Sequence, residues 1–198
     1  MEVHDSVQRA LTIPGYTEEE ELVLLGMLAQ QVPPDTWVVE VGVWRGRSLA
    51  ALSLARNNHR VAGADHFKGS PEHAKIGIVR AGRLMDDCRA NLDGVGAHPL
   101  IRIADSVSVA QAWEGEIGLL FLDGGHDHDS VRADLDAWLP HLISGGVLAV
   151  HDYVLPSEHP EQGFPGVRRA LDACCYGWQF LCPTEAIRIG SLAVVQKP

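Results

Sequence analysis

Trp37-Val-Val-Glu-Val-Gly-Val-Trp-Arg-Gly-Arg-Ser48 decides the fold. Trp37 to Val41 reads as a strand, Gly42 to Gly46 as a turn, and Ser48 to Arg56 as a helix with Ala50, Leu52 and Leu54 inside. Gly42 lets the chain turn sharply, and Gly46 lets a ligand or a helix approach closely. The same alternation of apolar strand and helical stretch continues on both sides.

Upstream, Thr17 is an expected N-cap, with Glu18 to Glu21 as an acidic first turn. That helix runs through Leu22, Leu25 and Leu28 to about Gln31, and Pro33-Pro34 ends it. Downstream, Arg60 to Asp65 is the second strand, 66–76 a loop, and Ile78 to Leu92 a helix. Leu100 to Ile103 is the third strand and Val107 to Trp113 a short helix. Ile117 to Leu122 is the fourth strand. Asp129 to Leu142 is a helix with Val131, Leu135, Trp138 and Leu139 on one stripe. Gly145-Gly146 precedes a fifth strand, Val147 to Val150, and a proline-bearing loop spans 153–165. Gly166 to Cys174 is a helix, and Trp178 to Cys182 and Ile187 to Gln196 are the last strands. Their link leaves no room for a helix, so this pair is expected to be antiparallel. The expectation is an α/β, Rossmann-like, seven-stranded sheet, mostly parallel, with an antiparallel C-terminal hairpin strand and helices on both faces. A chain of 198 residues is most simply one domain, with 1–34 as an N-terminal helical segment and 35–198 as the core.

Acidic residues outnumber basic ones 26 to 16, a formal net charge of −10. That opposes nonspecific binding to nucleic acid or anionic lipid. Arg80, Arg83 and Arg89 fall at helical spacing and read as a solvated face. No apolar run reaches the length of a membrane span, and the first residues lack the pattern of a signal peptide. Cys88, Cys174, Cys175 and Cys182 include no C-x-x-C pair and read as reduced thiols. The expected location is cytoplasmic. Trp and Leu on outer helices leave a homodimer open.

The glycine turn lacks the middle glycine of a dinucleotide fingerprint, because Trp44 stands there, so a pyrophosphate fits poorly. Glu40, an acid ahead of Gly42, suits a cationic or amine-bearing ligand. Taken alone the glycine pair is an ordinary βα turn. Asp65 and Asp105 at the next two strand ends add to it, because ligands of open α/β sheets bind at those ends.

Here the chain resembles the class I S-adenosylmethionine-dependent methyltransferases over about residues 35 to 196. The resemblance implies that Glu40, Gly42, Trp44, Gly46 and Ser48 hold the methionine part of the cofactor. It implies Asp65 for the ribose hydroxyls, Asp105 and Ser106 near the adenine, and Asp123 beside the same molecule.

Two further stretches carry chemistry, Phe121-Leu-Asp-Gly-Gly-His126 and Val150-His-Asp-Tyr153. Acids and histidines at strand tips cost desolvation unless something pairs with them. Adjacent parallel strands lie about 5 Å apart, so Asp123 and Asp152 could share one cation. Oxygen ligands favour a hard ion such as Mg²⁺ or Mn²⁺; His151 as a ligand would tilt the preference toward a transition metal. His126, three residues past Asp123, can accept a proton at neutral pH, its unperturbed pKa being about 6.5. A capped turn at Asp123 and a hydrogen-bonded strand end at His151-Asp152 are the competing readings. Asp127 and His128 read as a solvated loop.

The pattern is similar to the metal-dependent O-methyltransferases that act on sugar hydroxyls of natural products. That likeness implies Mg²⁺ held by Asp123 and Asp152, with His151 where an acid is usual, and His126 as general base. It implies a small-molecule hydroxyl acceptor. Trp44 and Tyr153 could wall an acceptor pocket or equally be ordinary packing. A catalytically silent module on the same fold, or a nicotinamide-dependent reductase, would carry the same strands with other chemistry.

Overall fold

The computed structural model describes residues 1–69, 76–80, 82–153, 164–181 and 190–198. Among the described residues seven strands form one sheet: β1 (Trp37–Val41), β2 (Val61–Ala64), β3 (Leu100–Arg102), β4 (Ile117–Leu122), β5 (Leu142–Val150), β6 (Gln179–Phe180) and β7 (Ala193–Gln196). Their order is β3-β2-β1-β4-β5-β7-β6. The first five are parallel, and β7 is antiparallel to both β5 and β6. The sheet is therefore the mostly parallel, Rossmann-like one expected.

Side chains alternate across the strands and so build two cores. Val38, Leu119, Phe121, Ala149 and Val194 face one layer with Leu22, Leu25, Leu49, Leu52 and Leu92. Val39, Val41, Leu120, Leu122 and Val150 face the other with Leu135, Trp138 and Leu171. The first layer comprises helices α1 (Val3–Ala10), α2 (Glu19–Gln31), α3 (Arg47–Ala55) and α5 (Leu84–Val95), with α4 (Gly77–Arg80) leading into α5. The second comprises α6 (Ser106–Gln111), α7 (His128–Trp138) and α8 (Pro165–Cys174). Among the described residues no helix is long and apolar enough to cross a membrane.

Several boundaries differ from the sequence reading, each for a local reason. α1 is an additional helix; its Val7 and Ala10 are fully buried against α3, at a spacing legible in the sequence. α2 starts one residue later than expected, because Glu18 rather than Thr17 is the N-cap and forms a capping box with Glu21. The helix expected over 78–92 is two helices, parted near Gly82, which holds a left-handed φ of +65°. α7 stops at Trp138, since Pro140 cannot donate the next helical hydrogen bond, and a 3-10 turn at Leu139–His141 leads into a longer β5. The last two strands are shorter than expected, and residues 182–189 lie outside the described ones. So do Cys182, most of the 153–165 loop and the side chain of Arg80. The three described cysteines are free. Trp138 is fully buried in the core, so α7 presents no tryptophan for a dimer surface.

The register positions the site. Val41 pairs with Ala64 and with Leu122, and Leu122 pairs with Val150. The next residue of each strand is Gly42, Asp65, Asp123 and His151. Ladder bonds continue through that row, from Gly42 N to Ala64 O, Asp123 N to Val41 O and His151 N to Leu122 O, at 3.0, 2.8 and 3.0 Å. A Cβ on Gly42 would lie 2.0 Å from the Asp123 carbonyl oxygen, and its φ is +88°. Gly42→Ala is expected to cost about 1–3 kcal/mol from backbone strain alone. It should also push the β4 end aside, giving a lower urea midpoint.

α6 and α7 meet at a polar contact inside the second core. Trp138 Nε1 donates to Ser106 Oγ at 2.7 Å, and Ser106 also bonds the Asp134 carboxylate. Asp134 is 9% exposed; burial pushes its carboxyl from the usual 3.8 up to about 6, with the charges of Asp105 and Asp127 adding to the rise against the Ser106 bond. The folded protein thus holds this proton more tightly than the unfolded chain. The stability it contributes is full below about pH 4 and is lost as pH rises through about 6. Asp134→Asn is expected to be about 2–3 kcal/mol more stable than the parent at pH 7, with the gap closing near pH 4. Urea unfolding at the two pH values measures it.

Candidate functional site

The glycine turn after β1 is organised by its own acids. Glu40 is fully buried at the end of β1 and accepts a hydrogen bond from Ser48 Oγ at 2.6 Å. Its other oxygen is buried and has no hydrogen-bond partner among the described residues. Burial, helped by the charges of Asp123 and Asp65 and opposed by the Ser48 bond, raises the Glu40 carboxyl well above the usual carboxylate range. A neutral or half-satisfied acid at this point suits a donor arriving from outside the chain.

Asp65 reaches across from β2 into the turn. Its Oδ2 accepts from the amides of Val43 and Trp44 at 2.8 and 2.9 Å, and its Oδ1 from the amide of Phe67 at 2.6 Å. It therefore shapes the turn, holding Trp44 in a left-handed φ of +52°. Trp44 lies 6.2 Å from the ring of Tyr16, which is 62% exposed. Gly46, φ +90°, caps α3, and what approaches it is α5: a Cβ there would lie 3.1 Å from Cys88 Sγ. Asp105 caps α6 by accepting from Ser108 N at 2.9 Å, a bond that lowers its pKa, and its side chain is solvent-exposed. Ser106 is tied to Trp138.

The strand ends of β4 and β5 bring the remaining residues together. His151 is 9% exposed, and its Nδ1 lies 3.2 Å from Asp123 Oδ1 and 3.3 Å from Asp152 Oδ2. Neither contact has hydrogen-bond alignment, so this buried nitrogen faces two carboxylates without a bond to either. His126 Nε2 lies 3.1 Å from the same Asp152 Oδ2, and its ring stacks on Phe164 with centroids 3.9 Å apart. Asp123, His126 and Asp152 each offer a ligand atom within 4.8 Å of one another, so among the described residues it is His126, with the two acids, that forms the three-residue metal-type group. His151 stands against both acids but is drawn by its other nitrogen to Glu21 Oε2 at 3.2 Å.

Charge explains how these groups tolerate burial. Burial works against the charge of His151, but Asp123, Asp152 and Glu21 outweigh it and hold the ring proton far above the ordinary histidine range. Burial likewise works against Asp152, and His126 and His151 outweigh it, keeping the carboxyl well below the usual range. Asp152 sits at φ +60°, an uncommon conformation for a non-glycine residue, and cross-strand contacts hold it there. Tyr153, considered as a pocket wall, donates to Asp172 on α8 at 2.9 Å.

Three residues of the site escaped the sequence reading. Glu21 was taken only as part of an acidic first turn; its position three after Glu18 is the capping-box signal. Asp134 lines a small cavity with Gly124, His126, His151 and Val167, and it lies on the apolar stripe of α7 between Val131 and Trp138. Ser191, before β7, had no local signal. Asp127, read as solvated, caps α7 by accepting from the amides of Asp129 and Ser130.

Solved structures of several methyltransferases share this architecture. The O-methyltransferase NovP superposes with a TM-score of 0.65 at 19% identity, over 90% of this chain and 80% of its own. The O-methyltransferase TomG from Streptomyces achromogenes, solved with SAM, gives 0.65 at 17%, over 98% and 88%. CalS11, a TDP-rhamnose 3'-O-methyltransferase of calicheamicin biosynthesis, gives 0.59 at 17%, over 98% and 92%. At such identities the likeness concerns the fold. The family model described as a methyltransferase domain matches residues 39–153, from inside β1 to just past His151-Asp152, which is more than half of the chain. The glycine turn and both acid-histidine strand ends lie inside that match, and the chain belongs to the methyltransferase-domain family.

Proposed function

We propose that this protein is an S-adenosylmethionine-dependent O-methyltransferase that acts, with help from a divalent ion, on a hydroxyl of a small molecule such as a sugar or another natural product. One observation carries this reading: Asp123, His126, His151 and Asp152 converge beside the glycine turn, on one row of strand ends. The names of NovP, TomG and CalS11 support the class of reaction.

Glu40, Gly42, Trp44, Gly46 and Ser48 would hold the methionine end of the cofactor, with the unpartnered Glu40 oxygen ready for its ammonium group. Asp65 keeps the turn in shape and has one lone pair of Oδ1 left for a ribose hydroxyl. Asp105 and Ser106, where the chain leaves β3 and enters α6, would lie toward the adenine.

The two carboxylates suit a hard divalent ion, and the His151 imidazole tilts the choice toward Mn²⁺. Octahedral coordination at about 2.1 Å places neighbouring ligands about 3 Å apart. The separations of His151 Nδ1 from Asp123 Oδ1 and Asp152 Oδ2, 3.2 and 3.3 Å, match that spacing. Asp123, Asp152 and His151 would hold Mg²⁺ or Mn²⁺. When bound, the cofactor supplies an electrophilic methyl and the ion supplies positive charge at the acceptor oxygen.

His126 would take the acceptor's proton at Nε2. That atom faces Asp152 Oδ2. Once Asp152 is engaged elsewhere, Nε2 is released to accept a proton. Phe164, stacked on the ring, keeps its plane fixed toward the acceptor. A second reading makes His126 itself the third ligand, because it completes the group within 4.8 Å.

Two experiments test these assignments. S-adenosylhomocysteine should bind saturably in calorimetry, and methyl transfer to a panel of sugar and phenol hydroxyls should fall on adding chelator and return with Mn²⁺. A protein that ignores S-adenosylhomocysteine would be a silent module on the same fold. His126→Asn should lower kcat by about 10²–10⁴-fold while Mn²⁺ affinity stays put, as a base requires. Weakened Mn²⁺ binding in that variant would instead make His126 a ligand.

A further inference from the structure

Glu21 lies 130 residues from His151 in sequence and is 1% exposed. Its two oxygens accept four hydrogen bonds. Oε2 takes the amide of Glu18 at 2.8 Å and His151 Nε2 at 3.2 Å. Oε1 takes the amide of Ser191 at 2.7 Å and its hydroxyl at 3.2 Å. The helix start accounts for the first of these alone. The other three bind α2 to residues that frame the site.

Ser191 continues the chain of contacts. Its hydroxyl, while donating to Glu21, accepts from the amide of Asp152 at 3.2 Å, and its carbonyl accepts from the amide of Tyr153 at 2.9 Å. The same serine thus clamps Glu21 and the strained backbone of Asp152, whose φ is +60°. The clamp is tight: a Cβ on Gly190, φ +58°, would lie 2.1 Å from Glu21 Oε1.

An imidazole can present only one nitrogen to a site, and an acceptor on the other nitrogen decides which. We propose that Glu21 is the positioning residue of the ion site: it takes the Nε2 proton of His151, turns Nδ1 toward Asp123 and Asp152, and, through Ser191, fixes Asp152 beside it. The inference rests on the metal-assisted reading above. It makes α2 a support of the site, although Glu21 would touch neither substrate nor cofactor.

Glu21→Gln is the test, since glutamine also serves at this place in a capping box. Mn²⁺ binding followed by electron paramagnetic resonance should weaken by about tenfold or more in the variant. Affinity for S-adenosylhomocysteine should stay within about twofold. Equal Mn²⁺ affinity in parent and variant overturns the role of Glu21 and leaves the ion site standing. A parallel loss of both affinities also overturns it, as the mark of a purely structural residue. A parent protein indifferent to Mn²⁺ overturns the ion site and this role with it. Long-range ¹H–¹⁵N spectra of the metal-free protein give an independent reading, with the His151 signals identified by their loss in His151→Asn. Glu21→Gln should shift the Nε2 signal of that ring, and an unchanged ring overturns the proposal.

Discussion

Four parallel strands end on the same rung, and the rest of the site depends on that alignment. Gly42, Asp65, Asp123 and His151 are the first residues past β1, β2, β4 and β5, and each amide still donates a ladder hydrogen bond to the last residue of a neighbouring strand. Only a residue without a side chain fits at Gly42, because the Asp123 carbonyl occupies the place of a Cβ. The close approach draws the acid of β4 against the turn that follows β1. A cofactor held by that turn and an ion held by Asp123 would thereby share one floor.

Such a gathering is electrostatically costly, and the protein distributes the cost unequally. Glu40, Asp123 and Asp152 stand at or just past the ends of three adjacent strands, and Glu21 meets His151 from α2, all at least partly buried. Burial raises the proton affinity of Glu40 well above the usual carboxylate range. Burial opposes the charge of Asp152 and Glu21, but His126 and His151 beside Asp152, and His151 beside Glu21, hold both carboxyls below the usual range. Neighbouring groups whose proton affinities are pushed in opposite directions are a common mark of a reactive site. The arrangement also leaves room for exchange, since a divalent ion between Asp123 and Asp152 would replace a charge the ring now supplies.

Much of this was legible in the chain. The run Ile117–Leu122 is a buried strand with the expected limits, and the order of helices and strands followed from periodicity and turn residues. The glycine turn, the acids at strand ends and His126 announced themselves through residue type and position. Failures fell where a local rule met another local rule: Gly82 split a helix that periodicity alone would have continued, and Pro140 ended one early. Asp65, Asp105 and Ser106 stood where a ligand was expected, yet each also serves the fold, as turn brace, helix cap and partner of Trp138.

What the sequence determined by itself is which segments become strands and helices and which chemical groups stand at their ends, because hydrophobic period, caps and turns act over a few residues. The tertiary structure alone decided which ends adjoin, that Asp152 turns back toward two histidines, and that Glu21 and Ser191 reach into the site from opposite ends of the chain. Those outcomes depend on strand register and on close contact between segments far apart in sequence, and no short stretch of residues encodes either.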